Sequence, residues 1–281
     1  FKNLWKGYFP EELHISYVTN GVHRPTWTSP LWKEVEQKYF KKEIGGSYSA
    51  FSFEGIYNLP NERVAQIKNQ LRTKLVNRIK RNLQDSRNVT YFTPREIVEV
   101  FDTLRDDVLT IGFARRFATY KRAHLLFTDL DKLDTIVNNP KRPVQFIFAG
   151  KAHPADKAGQ DLIKHIVEIS KQPRFLGKII FLSNYDMDLA RTLIQGVEAS
   201  GTSGEKAAMN GVMHFSVLDG WWVEGYREDA GWALPQKRTY ENQLYQDELD
   251  AELIYNIIED RIAPAFYNKD SKGVSIEWCN F

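Results

Sequence analysis

The feature that most constrains the fold is a regular alternation of strands and helices that begins near residue 108. Short apolar runs typical of buried parallel strands alternate with amphipathic helical stretches, at about 35 residues per unit. The apolar runs cover residues 108–113, 144–148, 178–182 and 212–218. This alternation predicts an α/β fold built on a doubly wound parallel sheet. Ligands bind beyond the carboxyl ends of such strands, so we expect the functional residues in the loops that follow them.

The first part of the chain differs in character. Residues 1–60 are rich in aromatic residues, Gly and Pro, and the spacing of apolar positions predicts a helix over residues 61–83. We interpret the strongly basic face of that helix as solvated rather than as a nucleic-acid site, because no aromatic residues are interspersed with its charges. The members of this face are Lys68, Arg72, Lys74, Arg78, Lys80 and Arg81. Residues 85–107 are polar and irregular, and we place a domain boundary there.

One break interrupts the alternation. The helix predicted from residue 187 to about residue 194 leads into Glu198 without the strand that the pattern requires between them. We therefore expect a segment to be missing between Val197 and Glu198. Farther along, a long helix is predicted from residue 246 to about residue 262.

Composition excludes several classes of protein. The 281 residues include 38 Lys and Arg against 36 Asp and Glu, so the overall charge does not predict binding to nucleic acid or to an anionic membrane. The single cysteine, Cys279, excludes an intramolecular disulfide and a cysteine-rich metal site. No metal is therefore expected, and a reducing compartment is favoured. No apolar run approaches the roughly 20 residues of a membrane helix.

A glycine-rich turn begins at Glu198 with the sequence Glu-Ala-Ser-Gly-Thr-Ser-Gly-Glu-Lys. A turn of this kind at the start of a helix presents backbone N–H groups at the positive end of the helix dipole, which suits a phosphate. Lys206, in the first turn of the helix, could pair with that phosphate or form a Schiff base with a pyridoxal ring. A solvated lysine beside an ordinary strand-to-helix turn fits the local pattern equally well.

Polar and cationic side chains follow the predicted strands. They are Arg115, Arg116, Tyr120 and Lys121 after the first strand, Lys151 and His153 after the second, and Asn184 and Tyr185 after the third. Because guanidinium groups bind phosphate in bidentate fashion, this density predicts a site for more than one phosphate group. The alternative is that the two arginines pair with Asp106 and Asp107.

These motifs together resemble those of the α-glucan phosphorylases, which act on glycogen, starch or maltodextrin. The resemblance runs over nearly the whole chain, and Gly-Thr-Ser-Gly-Glu-Lys is similar to the shorter bacterial and archaeal branch. It implies two Rossmann-like lobes that face a cleft in the glycosyltransferase-B arrangement. Residues 1–100 would be the end of the N-terminal lobe and a helical connection. Residues 101–281 would be the C-terminal, Rossmann-like lobe that binds cofactor and phosphate.

The resemblance also implies roles for individual residues. Pyridoxal 5′-phosphate would be held as a Schiff base by Lys206, and the other cofactor-binding residues would be Gly201, Thr202, Ser203, Lys121 and Tyr185. The catalytic residues would be Arg116, Arg115, Lys121 and Lys206, with the two arginines on the substrate phosphate. The substrate-binding residues would be Glu198, which would accept hydrogen bonds from sugar hydroxyls, and Ala199, Ser200, Gly201, His23 and Lys151. Ala118 stands where the animal branch has a histidine, so a role for that ring is absent.

The implied reaction is phosphorolysis of α-1,4-glucans, which transfers a terminal glucosyl unit to inorganic phosphate and gives glucose 1-phosphate with retained configuration. The cofactor phosphate would relay a proton through the substrate phosphate to the glycosidic oxygen. We expect the glucan and inorganic phosphate as partners, a cytoplasmic location and a possible homo-oligomer. The first residues lack a start methionine and a signal-peptide layout, which indicates a cut inside a longer protein. We therefore expect this chain alone to be inactive.

Two other functions fit parts of the sequence. A nucleotide-sugar glycosyltransferase of the same fold, similar to glycogen or starch synthases, would also place Arg and Lys against phosphates, but it carries no pyridoxal and lacks a lysine at the position of Lys206. A non-catalytic glucan-binding module would use tryptophans as stacking platforms and would not need a convergent phosphate site. The tryptophans available for stacking are Trp27, Trp221, Trp222 and Trp232.

Overall fold

The computed structural model describes an α/β fold around one six-stranded sheet. The described residues are 7, 9, 12, 18–40, 50–85, 92–200, 204–234 and 240–281. The strands are β1 (Leu109–Ala114), β2 (Val144–Ala149), β3 (Ile179–Leu182), β4 (Ala199–Ser200), β5 (Met213–Val217) and β6 (Gly231–Leu234). All neighbouring strands are parallel, in the order β3-β2-β1-β4-β5-β6. The predicted α/β fold with a parallel sheet is therefore confirmed.

The helices precede the sheet, connect its strands and follow the last strand. Within the described ranges they are α1 (Arg24–Trp27), α2 (Pro30–Tyr39), α3 (Asn61–Gln84), α4 (Pro94–Thr103), α5 (Leu130–Val137), α6 (Lys157–Ser170), α7 (Met187–Gly196), α8 (Gly204–Ala208), α9 (Trp221–Gly225), α10 (Gln243–Ile257), α11 (Ala263–Tyr267) and α12 (Ile276–Asn280). Short 3₁₀ segments cover Ala50–Asn58, Thr119–Lys121 and Ala123–Phe127. None of the described helices combines the length and apolar character that a membrane span requires.

The connecting helices begin where the sequence supplies a capping side chain. Asp129, Asp156 and Asp186 each precede a helix, and each carboxylate accepts a hydrogen bond from a backbone amide of the first turn. Before α4, Thr93 and Glu96 form a reciprocal capping box. These caps satisfy amides that have no partner inside the helix, and they fix where each strand-to-helix loop ends.

Helices cover both faces of the sheet, as the residues of β2 show. Phe146 and Phe148 belong to a core cluster with α5, α6, α10, α11 and α12. Ile147 and Ala149 belong to a second cluster with α3, α4, α7 and α8. Every residue of β2 and β3 is buried, which explains why their sequences are unbroken apolar runs rather than alternating patterns.

A short strand that the sequence pattern did not show follows Glu198. Ala199 and Ser200 alone form β4, which pairs with β1 on one side and β5 on the other. The Glu198 amide also donates to the Thr110 carbonyl at 2.8 Å. Two residues make no apolar run, so the pattern did not show this strand. The expected missing segment between Val197 and Glu198 stays a prediction.

The end of the chain also differs from expectation. Strand β6 was not predicted, because its four residues, Gly231–Leu234, are too few for a periodic pattern. The helix expected from residue 246 begins earlier, with α10, and continues at Ile258–Ile262 as a π-helical turn before α11. By contrast, α3 agrees with the predicted helix to within one residue.

Candidate active site

A cavity of about 490 Å³ opens at the carboxyl ends of the strands. The ends of β1, β2 and β5 contribute Phe113, Phe148 and Val217 to its wall. The loop after β1 contributes its polar side chains, namely Arg115, Tyr120, Lys121 and Arg122. This is where parallel sheets bind ligands. We call this cavity the carboxyl-end cleft.

Arg115 directly follows β1 in the sequence and lines the carboxyl-end cleft. Its amide donates to the Ala149 carbonyl of β2 at 3.1 Å. A Cβ on Gly150 would come within 2.0 Å of the Arg115 carbonyl oxygen, so a glycine is required for the two loops to run this close. Burial lowers the pKa of the Arg115 guanidinium, and the Asp219 carboxylate opposes that shift. A guanidinium stays charged even so, which gives the cleft a fixed cation.

The alternative pairing of the two arginines with Asp106 and Asp107 is wrong. Asp107 pairs with Arg105 instead. The Asp106 carboxylate accepts a hydrogen bond from the Thr73 hydroxyl at 2.6 Å. Both acidic residues are thus engaged at the amino end of β1, whereas the two arginines follow its carboxyl end.

Lys121 and Arg116 both contact Tyr120. The Lys121 Nζ lies 4.6 Å from the centroid of the Tyr120 ring. The Arg116 guanidinium donates to the Tyr120 hydroxyl at 3.4 Å. That hydrogen bond and the nearby Lys121 charge lower the pKa of the exposed Tyr120 phenol. Arg116 is itself exposed, so it lies at the rim of the cleft whereas Lys121 lies in its wall.

Arg122 holds the turn that carries Lys121. Its backbone is left-handed, with φ 51° and ψ 36°, a conformation that costs a non-glycine residue about 1–3 kcal/mol. The guanidinium donates to Asp247 at 2.5 and 3.0 Å and pairs with Asp250 at 2.6 Å. His124 Nε2 lies 2.7 Å from the other Asp247 oxygen. These contacts with α10 maintain the strained turn beside the cleft.

Lys206 lies in α8 against an aromatic wall. Its Nζ is 3.8 Å from the centroid of the Trp27 ring. Trp27 packs with Ala190 and Ile194 of α7, and Tyr185 packs against the same cluster. Burial lowers the pKa of the Lys206 amine, and Glu205 opposes that shift. The amine therefore loses its proton more readily than an exposed lysine does, which favours Schiff-base formation.

The structure describes the glycine-rich turn only at its helical end. The predicted residues Gly201, Thr202 and Ser203 lie outside the described residues. Gly204, which begins α8, borders the carboxyl-end cleft. A Cβ on Gly204 would come within 2.3 Å of the Trp221 ring, so the indole packs directly over the start of the helix. The helical end of the turn thus reaches the cleft.

Glu198 lies away from the carboxyl-end cleft in a buried ionic cluster. Its Oε1 accepts a hydrogen bond from Arg72, and its Oε2 is 4.0 Å from the Lys68 Nζ. The Glu198 side chain has no exposed surface, and those of Arg72 and Lys68 are 4% and 5% exposed. The prediction of a solvated basic face is therefore wrong for these two residues of α3. Lys68 also donates to the Val197 carbonyl at 3.0 Å.

Lys68 supplies the amine of this ionic cluster. Burial is the main cause that lowers its pKa, the nearby Arg72 charge also lowers it, and the resulting pKa is about 8. The Glu198 carboxylate opposes both effects. The pairing therefore offsets only part of the cost of burying this ammonium group.

The other predicted substrate-binding residues are dispersed. Ala199 and Ser200 are fully buried in β4. Lys151 is exposed after β2, and its carbonyl accepts a hydrogen bond from the Phe117 amide at 3.0 Å. His23 is exposed before α1, with its Nδ1 2.7 Å from the Thr26 hydroxyl. Of the predicted substrate-binding residues that the structure describes, none borders the carboxyl-end cleft.

His214 and Asp219 also line the cleft, and neither was predicted as a functional residue, whereas Trp221 was considered only as a stacking residue. Burial lowers the pKa of His214 to about 4, so its ring is neutral at pH 7. Its Nδ1 is 2.9 Å from the Ser200 carbonyl, which can only accept, so Nδ1 carries the proton and Nε2 is an acceptor. The ring also packs edge-on against Trp222, with centroids 4.6 Å apart. The predicted strand over residues 212–218 contained His214, and this position was the available signal.

Comparison with known proteins supports a single family. The family described as Carbohydrate phosphorylase matches residues 3–231. A glycogen phosphorylase of Aquifex aeolicus is 40% identical over 98% of the chain and 41% of its own length. A glycogen phosphorylase of Mycobacterium tuberculosis is 37% identical over 99% of the chain and 33% of its own length. A maltodextrin phosphorylase of Thermococcus litoralis is 38% identical over 98% of the chain and 34% of its own length.

These relatives are much longer than the part of them that aligns. The chain spans between 33% and 41% of their lengths, although almost all of the chain itself aligns. The match extends from the aromatic N-terminal region through β1 to β5, and so includes both Lys206 and the arginines of the cleft. The chain belongs to the carbohydrate phosphorylase family.

Proposed function

We propose that the chain is the C-terminal part of an α-glucan phosphorylase. In this proposal residues 101–281 form a Rossmann-like, doubly wound lobe of the glycosyltransferase-B arrangement. Residues 1–100 are the end of the N-terminal lobe and a helical connection. The strand order β3-β2-β1-β4-β5-β6 supports the proposal, because it places the switch in winding direction between β1 and β4. The relatives' greater length supports the expectation that another lobe completes the enzyme.

The proposed reaction is phosphorolysis of α-1,4-glucans to glucose 1-phosphate with retained configuration. The observation that carries this proposal is that Arg115 and Lys121 both line the cleft at the carboxyl ends of the strands. The reaction brings two phosphate groups together, and their repulsion must be balanced by cations that do not titrate near neutral pH. We assign Arg115 and Arg116 to the substrate phosphate and Lys121 to the cofactor phosphate.

The residues around Lys206 fit pyridoxal 5′-phosphate. An amine with a lowered pKa beside the flat face of Trp27 suits a planar aldehyde that becomes attached to a lysine. Tyr185 closes the same wall, and Gly201, Thr202 and Ser203 would hold the cofactor phosphate. When bound, the cofactor supplies through its phosphate a proton relay to the substrate phosphate. The part of this chain is to hold both phosphates and to keep the cleft cationic.

Sugar binding is assigned to six residues. We keep Glu198, Ala199, Ser200, Gly201, His23 and Lys151 as proposed substrate contacts. For Glu198 to accept hydrogen bonds from sugar hydroxyls, its carboxylate must be released from Arg72. The cytoplasmic location and the homo-oligomer stay predictions.

The first experiment tests cofactor binding in the 281-residue chain. After incubation with pyridoxal phosphate and reduction with borohydride, we expect a cofactor mass on the peptide that contains Lys206. Lys206→Ala should remove this mass, and Lys164→Ala, an exposed lysine of α6, should retain it. Attachment to another lysine, or none at all, would show that the cofactor assignment is wrong. That outcome would favour the nucleotide-sugar glycosyltransferase, which carries no pyridoxal.

The second experiment tests the reaction. We expect the 281-residue chain to be inactive, and a chimera with the N-terminal lobe of the Aquifex aeolicus relative to release glucose 1-phosphate from maltodextrin only when phosphate is present. Arg115→Met in the chimera should raise the KM for phosphate and lower kcat, because it removes a cation from the cleft. Phosphate-independent transfer from a nucleotide sugar would instead support the glycosyltransferase alternative.

A further inference from the structure

The imidazole ring of His214 is held in one orientation at the wall of the carboxyl-end cleft. His214 is the second residue of β5 and pairs in register with Ser200 of β4. Its Nδ1 donates to the Ser200 carbonyl at 2.9 Å, and the ring packs edge-on against Trp222. The centroid of the Trp221 ring lies 5.4 Å away. A flip of the imidazole would break the hydrogen bond to Ser200, so the other ring nitrogen has a fixed position.

That other nitrogen, Nε2, is an acceptor that a ligand in the cleft can contact. Among the described residues, no group donates a hydrogen bond to it. It is also not one of the fully buried side-chain atoms that lack a partner in the described part of the chain, so it keeps accessible surface. Because His214 lines the carboxyl-end cleft, a ligand there can supply the missing donor.

His214 differs in kind from the cations of the cleft. Burial is the main cause that lowers its pKa, the Arg115 charge also lowers it, and the resulting pKa is about 4. The ring is therefore neutral at pH 7, beside the charged Arg115 and Lys121 that line the same cleft. A cation attracts any anion, whereas a neutral acceptor favours an anion that carries a hydrogen atom. The two kinds of group together can distinguish anions of equal charge.

We propose that His214 makes the carboxyl-end cleft selective for a phosphate group that still carries a proton. This inference rests on the proposed function, because it takes the anion in the cleft to be the substrate phosphate. The P–O–H group of that phosphate donates to His214 Nε2, and Arg115 pairs with the unprotonated oxygens. An anion without a hydrogen atom would instead place an oxygen lone pair against the lone pair of Nε2. His214 thus recognises one oxygen of the substrate phosphate.

Inorganic phosphate and sulfate test this selectivity. At about pH 8 both are tetrahedral dianions, but only phosphate retains an O–H group. In calorimetric titrations of the 281-residue chain, we expect phosphate to bind about tenfold more tightly than sulfate, which corresponds to one hydrogen bond that involves a charged group. Equal binding of the two anions would overturn the role of His214 and leave the phosphate site intact. If neither anion bound, the phosphate site itself, and with it the proposed function, would be wrong.

Substitutions assign the selectivity to one atom. His214→Phe keeps a flat ring against Trp222 and removes Nε2, and it should bring the two affinities to within about twofold of each other. His214→Gln keeps one donor for the Ser200 carbonyl and one acceptor for the ligand, so it should retain the preference for phosphate. Arg115→Met is the matched control, because the loss of a cation weakens both anions and leaves their ratio unchanged. A ratio that fell in Arg115→Met and not in His214→Phe would refute the assignment.

Nitrogen NMR of the isotope-labelled, unsubstituted chain measures the contact directly, without relying on the stability of a variant. Phosphate should shift the Nε2 resonance of His214, because a hydrogen bond to an unprotonated ring nitrogen changes its electronic environment. Sulfate should leave that resonance in place. The signal is identified as the one that His214→Gln lacks. Equal shifts with both anions, or no shift of Nε2 at phosphate saturation, would contradict the proposal.

Discussion

The substitution Arg72→Met tests the buried ion pair between Arg72 and Glu198. Arg72→Met would leave the fully buried Glu198 carboxylate with Lys68, at 4.0 Å, as its ion-pair partner among the described residues. Removing one partner of a buried ion pair costs roughly 3–5 kcal/mol, because the other charge stays desolvated. Arg72 also contacts the Phe266 ring at 5.4 Å and donates to the Asp106 carbonyl, so we expect the upper part of that range.

A double-mutant cycle separates the free energy of the Arg72–Glu198 pair from that of the other contacts of Arg72. Glu198→Gln removes the charge and keeps an acceptor for Arg72. When both substitutions are combined, no buried carboxylate is left without its guanidinium. We therefore expect the double variant to lose about 2–3 kcal/mol less than the sum of the two single variants, a coupling at the strong end for residues in contact.

Urea unfolding, followed by circular dichroism at pH 7, measures these free energies. Lys74→Met is the matched control, because it removes a cation from an exposed position of the same helix and should change stability by no more than about 0.5 kcal/mol. If Arg72→Met cost no more than Lys74→Met, Glu198 would not be buried against α3. The ionic cluster as described would then be wrong.

Three further predictions concern the carboxyl-end cleft. The pKa of His214 is about 4 in the folded protein and 6.5 in the unfolded chain. As pH falls, the unfolded state therefore binds a proton first. We expect the free energy of unfolding to decrease by about 3 kcal/mol between pH 6.5 and pH 4. Urea midpoints measured against pH should show a smaller loss in His214→Asn, and an unchanged slope would contradict this. Asp247→Asn should weaken the hold on Arg122 and speed amide exchange over residues 119–123, whereas the exposed Asp131→Asn should not. Gly150→Ala should cost at least about 3 kcal/mol in the urea assay, because its Cβ would lie 2.0 Å from the Arg115 carbonyl oxygen, and a near-neutral effect would refute that close approach.

Much of the architecture could be predicted from periodicity alone. β2 and β3 are apolar runs because both faces of the sheet are covered, and their carboxyl ends fix where the following loops lie. The placement of Arg115 and Lys121 in one cleft follows from that topology without any knowledge of side-chain contacts. β4 and β6 were missed because strands of two and four residues carry too little pattern.

In α3 the charged residues Lys68 and Arg72 led to a wrong prediction of exposure. Lys68 and Arg72 each lie next to an apolar position of the helix, so they flank the buried stripe rather than opposing it. The partner that keeps them inside, Glu198, is 126 residues from Arg72 in the sequence. No local pattern reveals such a pairing. For the same reason the contact between Lys206 and Trp27 could be found only from the structure.

The position of Glu198 leads to a final prediction about β4. The alignment with the Aquifex aeolicus relative spans 288 residues, more than the 281 of this chain, so that relative carries additional residues within the aligned region. We expect them to fall between Val197 and Glu198, directly before β4, because that strand has only two residues in this chain. Inserted residues would form the strand themselves and move Glu198 beyond its carboxyl end, toward the cleft that contains Arg115.

Inserting the additional residues of the relative between Val197 and Glu198 tests this. The insertion should separate Glu198 from Arg72, because the glutamate would no longer precede the central strand. Arg72→Met should then cost clearly less in the inserted chain than in the original one, and Glu198→Gln should become nearly neutral. An insertion of equal length in the loop between α5 and β2 controls for added chain length. If the cost of Arg72→Met were the same in all three backgrounds, the length of β4 would not decide where Glu198 lies.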